Sequence, residues 1–315
     1  MANLAVIIPA YKSDYLESAL TSFSKQSNKN FVLYIGDDAS PYDLTPIINK
    51  FKSKLEIVYQ RFEENFGSKS LVKQWERCIE MSSENWIWLF SDDDVVKSDA
   101  VDNFFSIVNS NSEFYKLRTE VINVDGNLHD QFTNARGKND VGSTIPSEDF
   151  IKRRLQSDGF RSFAVEYIFS RKLYNENKFV EFPLAWASDD ATWFLYSLKN
   201  GGKITVIDSV VYWRYSGSNL SSESKQHDIV RQKILASLSY VIWVKDIASN
   251  LNLCISDNLL AKWLTLQLAS IQYKLSFGDF TDMLYRKTKL SISTYKRLKL
   301  FIIIKLYHLK HKIYS

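Results

Sequence analysis

The stretch Trp86-Ile87-Trp88-Leu89-Phe90-Ser91-Asp92-Asp93-Asp94-Val95-Val96 decides how the rest of the chain is read. Its first five residues are apolar and run without a break toward three carboxylates. An apolar run of this length predicts a strand buried on both faces, as in the middle of a parallel sheet. The acids then stand just past its C-terminal end, the edge where open α/β sheets collect ligands. Three adjacent carboxylates repel one another unless a positive charge shares the site. A hard divalent cation, which takes oxygen ligands and bridges carboxylates to phosphates, meets that need. A solvated acidic turn is the plainer alternative.

Upstream, Leu4 to Ile8 predicts a short buried strand closed by Pro9-Ala10-Tyr11. Asp14 and Glu17 form a candidate capping box, followed by Leu16, Ala19, Leu20 and Phe23 at helical spacing. A second strand, Phe31 to Ile35, ends in Gly36-Asp37-Asp38-Ala39-Ser40. A third, Leu55 to Tyr59, ends near Glu63-Glu64-Asn65-Phe66-Gly67. The spacing predicts a helix over 70–81, with Leu71, Val72, Trp75, Cys78 and Ile79 on one face. Strands alternating with helices in this way predict an α/β, doubly wound parallel sheet. The first two acidic clusters then share one sheet edge.

Downstream, Ser98 to Asn109 reads as a helix capped by Ser98. From Phe114 to about Gly142 the pattern weakens, and Asn134 to Gly142 reads as a loop over the site. A strand is expected over 163–169. A third acidic pair, Asp189-Asp190, opens a helical stretch that continues through Trp193, Phe194, Leu195 and Leu198 and ends at Asn200-Gly201-Gly202. Acids favouring the positive end of a helix dipole would explain that pair as well as a catalytic role would. Two closing strands follow, 203–208 and 210–215, then helices over about 226–248, 257–273 and 294–312.

Composition narrows the class. The 315 residues are 45% hydrophobic and 14% aromatic, with only 10 Gly and 5 Pro, which excludes a disordered chain. Two distant cysteines, Cys78 and Cys254, fit neither a disulfide framework nor a zinc site. No apolar run approaches the ~20 residues that span a bilayer, and no secretory leader is visible, so the chain reads as cytoplasmic. The net charge of +4 hides an asymmetry. Residues 225–315 hold 15 Lys and Arg against 5 Asp and Glu, while the preceding residues hold 25 against 31. From Tyr285 onward there is no acid, and Leu298, Phe301, Ile302, Leu306 and Leu309 lie among the lysines. A basic amphipathic helix of this kind reads as a tail on an anionic membrane surface, the inner face of the cell membrane. The alternative is a helix packed on the body. Nucleic acid is set aside, because no recognition motif accompanies the charge. The four histidines form no triad or metal set.

The order V-I-I-P-A-Y, I-G-D-D-A-S, E-N-F-G, W-I-W-L-F-S-D-D-D, S-D-D-A-T-W-F, G-G-K-I and Y-W-R-Y-S-G-S-N-L-S resembles that of the family-2 inverting glycosyltransferases of the GT-A fold. The resemblance covers roughly residues 3–221. It implies a GT-A domain over 1–222, with a Rossmann-like, mainly parallel sheet, and a helical C-terminal region over 223–315. It implies that Pro9, Ala10 and Tyr11 pack around base and ribose, that Asp38 hydrogen-bonds the base, and that Asp92 approaches the ribose or metal. Asp93 would be the chief ligand of Mn2+ or Mg2+, with Asp94 completing the metal triplet. Asp190 would be the catalytic base with Asp189 beside it, and Lys69 is a candidate for the diphosphate, with a solvated lysine at a helix start as the plainer alternative. The implied donor is a nucleotide sugar, a UDP-sugar, and the implied acceptor a glycan or lipid-linked glycan in bacterial surface polysaccharide assembly. Two departures stand out: Ser91 occupies the place of the motif's usual first acid, and Asp189-Asp190 replaces a Glu-Asp pair. A nucleotidyltransferase using the same metal–diphosphate site, or a silent nucleotide-binding scaffold, are the alternatives.

Overall fold

The computed structural model describes residues 3–109, 111–129, 144–156, 160, 162–216, 226–271 and 275–314. In chain order the elements are β1 (Leu4–Ala10), α1 (Leu16–Ser24), β2 (Phe31–Asp37), α2 (Thr45–Asn49), β3 (Ile57–Arg61), α3 (Leu71–Ile79), β4 (Trp86–Leu89), β5 (Val95–Val96), α4 (Ala100–Ile107), β6 (Phe114–Ile122), β7 (Thr144–Pro146), α5 (Ser147–Gln156), β8 (Tyr167–Ser170), α6 (Arg171–Asn177), α7 (Ser188–Lys199), β9 (Lys203–Arg214), α8 (His227–Asn250), α9 (Asp257–Ser270), α10 (Phe277–Asp282) and α11 (Thr294–Tyr314). They fall into two compact units. The first takes residues 1–147, 159–179 and 192–217, and the second takes 148–158, 180–191 and 218–315.

The first unit is built on one sheet of order β3-β2-β1-β4-β8-β6-β9-β5, with β7 on β9. The four leading strands are parallel, as the alternation predicts. β1 lies between β2 and β4, and its residues from Leu4 to Ile8 are wholly buried. Beneath the sheet, Trp88 packs edge-on to Phe23 and Phe90 and donates its indole N–H to the Val165 carbonyl at 2.8 Å. Truncating so large a satisfied core residue to alanine costs about 3–5 kcal/mol. Gly36 is a point of close approach: a Cβ there would stand 2.3 Å from Cys78 Sγ on α3. Burial pushes the Cys78 thiol up to about 12.

The second half of the sheet departs from a purely parallel reading. β8 runs antiparallel to both β4 and β6, while β6 and β9 form a long parallel pair. β6 lies in the stretch where the pattern weakens, because Lys116, Arg118 and Glu120 interrupt its apolar run. Lys116 is nevertheless buried, in an ion pair of 2.7 Å with Glu166. The two closing strands are one, β9. Its register skips Asp208-Ser209 opposite the Leu117–Arg118 step, so the polar pair that reads as a turn is a bulge. The expected strand over 163–169 begins only at Tyr167, after a 3-10 turn over Ala164–Glu166. Neither predicted side-chain cap forms: Tyr15 and Asp99 hold the N-cap positions of α1 and α4 without capping bonds. Glu17 pairs instead with Lys50 at 2.8 Å. The expected loop over 134–142 lies outside the described residues.

The second unit is helical. α9 packs on α8 and on α11, and α10 packs on α11. One side of α11 is tied inward: Ile304 is buried, Phe301 meets Phe277 and Phe280, and Lys305 donates to the Leu275 carbonyl at 2.9 Å. Leu298, Ile302, Leu306 and Leu309, spaced by four, four and three residues, are exposed on another side. Lys296, Lys299, Lys305 and Lys310 are exposed too. No described helix is long and apolar enough to cross a membrane.

Candidate active site

The turns that follow β1, β2 and β4 are laced together at one edge of the sheet. The Asp92 carboxylate accepts the backbone N–H groups of Tyr11 and Lys12, both at 2.9 Å. The Ser40 hydroxyl donates to the Tyr11 carbonyl at 2.6 Å, and the Asp38 N–H donates to the Ala10 carbonyl at 2.9 Å. Pro9 and Ala10 lie in register with Gly36 and Asp37, so the Pro-Ala-Tyr turn and the Asp-Asp turn emerge side by side. Ala10 is buried, whereas the Tyr11 ring is 42% exposed at the edge.

The Asp37-Asp38 pair is committed to the protein. Asp37 accepts Ser40 N–H at 2.7 Å, Tyr59 O–H at 2.7 Å and Arg61 Nη1 at 3.1 Å. Asp38 accepts the N–H groups of Phe66 at 2.7 Å and Gly67 at 2.8 Å, and also pairs with Arg77. Gly67 is required at this approach, since a Cβ there would stand 2.6 Å from Asp38 Oδ2. The Arg77 guanidinium carbon lies 3.8 Å from the Phe62 ring centre and 4.3 Å from that of Phe66. These residues, with Gln60, Arg61, Glu63 and Glu64, line a cleft of about 430 Å³, a volume suited to a small ligand. Lys69 pairs with Glu64 at 3.0 Å, both side chains exposed.

The acidic triplet is divided by its partners. Asp92 faces back to the first turn as described. Burial, and then the charge of Asp93, push its carboxyl up to about 6, against the pull of the two N–H donors. Asp94 is 1% exposed and accepts the backbone N–H of Arg214 at 2.7 Å. Burial, with Asp93 second, raises its carboxyl well above the usual range. Asp93 is half-buried; Ser91 donates its hydroxyl to the carboxylate and accepts the Asp93 N–H at 3.2 Å. Among the described residues no three His, Cys, Asp or Glu side chains gather into a metal cage. The donors at Asp93 are all oxygen, which fits a hard cation whose remaining ligands come from substrate phosphate and water.

Asp189 and Asp190 stand in the first turn of α7 and cluster with the helical unit. Arg154 of α5 grips Asp190 through two donors, Nε to Oδ1 at 2.8 Å and Nη2 to Oδ2 at 2.6 Å. Asp189 accepts the Asp190 N–H at 2.9 Å. Burial, and then Asp190, push the Asp189 carboxyl up to about 7, with Arg154 opposing.

Three arginines escape a motif reading. Arg77 sits on a helix face where cations are ordinarily solvated. Arg154 lies on a helix with little apolar signal. Arg214 is the one with a sequence cue, standing in the Tyr-Trp-Arg-Tyr segment at the end of the closing strand.

A mainly parallel sheet with laced acidic turns at one edge is the GT-A architecture. The family model for glycosyl transferase family 2 matches residues 5–168, and the chain belongs to that family. Its fold is similar to S. aureus TarS 1–349 in complex with UDP-GlcNAc, at 18% identity and a TM-score of 0.62, covering 98% of this chain and 88% of that one. The same TarS segment in complex with UDP gives 17% identity, a TM-score of 0.58 and equal coverage. Among curated proteins no sequence matches significantly.

Proposed function

We propose that the protein is an inverting glycosyltransferase that moves a sugar from a nucleotide sugar, a UDP-sugar, onto a glycan or lipid-linked acceptor in surface polysaccharide synthesis. The observation that carries this is the laced edge of the sheet unit, where the family's acidic turns meet. The UDP and UDP-GlcNAc held by TarS, which shares the fold, support a uridine nucleotide.

The residues divide the task. Tyr11 and the partly exposed Pro9 offer a surface for base and ribose, with Ala10 buried in the turn that carries them. Asp38, buried and already holding three donors, has one lone-pair position left on Oδ2 for the base. Asp92 holds the Tyr11–Lys12 backbone in place. Asp93 is the protein's principal ligand for Mn2+ or Mg2+, with Asp94 fixed behind it. A bound divalent cation offsets charge on the departing diphosphate. Lys69, exposed and lightly paired, is a candidate for the same phosphates. Asp190, held by Arg154, accepts the proton of the acceptor hydroxyl, and Asp189 stands beside it. A single base, with no second nucleophile at sensible spacing in the sequence, favours direct displacement and inversion. The basic, partly apolar outer side of α11 fits an anionic membrane surface, which would place the enzyme at the inner face of the cell membrane beside a lipid-linked acceptor.

A panel of nucleotide sugars, assayed for nucleoside diphosphate release with Mn2+ and with chelator, tests the reading. Metal-dependent release of UDP from one UDP-sugar is expected. Pyrophosphate release instead would favour a nucleotidyltransferase. No turnover, with UDP still bound, would favour the scaffold.

A further inference from the structure

Arg214 is among the least exposed cations of the sheet unit, at 3%, yet no acid takes its guanidinium in a paired bond among the contacts described. It spends that group on backbone oxygen instead. Nε donates to the Asp93 carbonyl at 2.8 Å, and Nη1 donates to the carbonyls of Asn123 and Val124, both at 3.1 Å. Nη2 reaches Ser18 Oγ on α1 at 3.3 Å, and the guanidinium carbon lies 4.4 Å from the Tyr15 ring centre. The backbone N–H of the same residue binds the Asp94 carboxylate at 2.7 Å. One residue at the end of β9 thus grips two consecutive members of the acidic triplet, the carbonyl of one and the carboxylate of the next. It ties them to the exit of β6 and to α1.

The grip sorts the three acids. Asp92 is taken by the backbone of the turn after β1, and Asp94 is taken by Arg214. The Asp93 peptide is pinned from one side by Arg214 and from the other by Ser91. Asp93 is therefore left as the acid whose carboxylate is oriented and, among the described residues, has no backbone donor. A buried cation beside the turn also lowers the repulsion among the three charges before any ligand arrives.

We propose that Arg214 is a positioning residue for the Asp93 carboxylate and so sets the affinity of the site for a divalent cation carried on a nucleoside diphosphate. This rests on the metal–diphosphate reading of Asp93 given above. It concerns residues that hold a ligand in place, a layer whose loss lowers metal affinity by about 10–100-fold in other sites. The planar fork is what the geometry uses, since four oxygens are reached in different directions. A lysine keeps the charge and cannot reproduce the fork.

The test is calorimetry of UDP binding to the full chain, with Mn2+ and with chelator, for the native protein, Arg214→Lys and Arg214→Gln, alongside melting curves. Both variants are expected to lose about tenfold or more of the Mn2+-dependent affinity, to keep the metal-free UDP affinity, and to melt cooperatively. Native-like Mn2+ dependence in a folded Arg214→Lys overturns the assignment while leaving the metal site standing. Equal loss of metal-free and metal-dependent binding overturns it too, because the role is then not directed at the cation. So does the absence of a cooperative melt in both variants, which would make Arg214 a fold-holding residue. Native protein whose UDP affinity ignores Mn2+ overturns the metal reading itself, and this inference with it.

Discussion

Arg154 and Asp190 face one another as a fork on a carboxylate, with parallel contacts of 2.8 and 2.6 Å. Such a pair fixes the direction of the carboxylate more tightly than a lysine contact would. If Asp190 is the base, its aim is set before the acceptor binds. Asp190→Asn should then keep nucleotide-sugar binding and cut kcat by about 10²-fold or more. Arg154→Lys should lower kcat with a smaller change in KM for the donor. Steady-state kinetics of both variants check this. A larger loss in Asp189→Asn than in Asp190→Asn would move the base to Asp189.

Asp189 should leave a mark on the pH dependence of stability. Its folded-state carboxyl lies at about 7, raised by burial and by Asp190, against about 4 in an unfolded chain. Between those values the folded state binds more protons than the unfolded one, so stability falls as pH rises. The contribution is complete below about pH 4 and lost through about pH 7. Melting temperatures from pH 5 to 8 should decline more steeply for the native protein than for Asp189→Asn. Parallel curves would contradict the shift.

Asp93→Asn should abolish the Mn2+-dependent part of UDP binding and leave the melting temperature within a few degrees, since the side chain is partly exposed and contacts only Ser91 among the described bonds. Calorimetry with and without Mn2+ reads this. Unchanged affinity would remove Asp93 as the principal ligand.

The tail can be tested without cutting it. Removing α11 would uncover the surface of α9 and α10 that Phe301 and Ile304 cover, so deletion mixes folding with attachment. Replacing Leu298, Ile302, Leu306 and Leu309 by Gln spares that inner side. Each cation near an anionic bilayer contributes about 1 kcal/mol, screened by salt. The quadruple variant should keep its melting temperature and lose co-sedimentation with anionic vesicles, and native binding should weaken in high salt. Binding indifferent to lipid charge, or equal in both proteins, would leave α11 as a packed helix only.

The leading strands were legible because strands buried on both faces carry uninterrupted apolar runs, as Leu4–Ile8 and Trp86–Phe90 do. Their parallel pairing followed from the alternation with helices, and their acidic ends were read directly; the order β3-β2-β1-β4 came only with the structure. β6 was missed although Lys116, Arg118 and Glu120, alternating with apolar residues, carry the period-2 pattern of a strand; what nothing local shows is that Lys116 meets Glu166 some fifty residues later. The bulge in β9 hid for a related reason, since Asp208-Ser209 has the composition of a turn and only pairing with β6 shows it to be an extra step. The acids of the site were visible as types. Which of them stay available to a ligand was not, because that depends on Arg77, Arg154 and Arg214, brought close by folding rather than by spacing.

The contact of Gly36 with Cys78 has a practical consequence. Cys78 is buried behind that strand with a thiol held protonated to about 12, whereas Cys254 is exposed between α8 and α9. Electrophilic dyes react with accessible thiolates. The native chain therefore carries a single reactive handle, on the helical unit, within electrostatic reach of Lys152 on α5. A fluorophore coupled at Cys254 would allow tail-dependent vesicle attachment to be followed in real time, with no engineered cysteine and no sequence change.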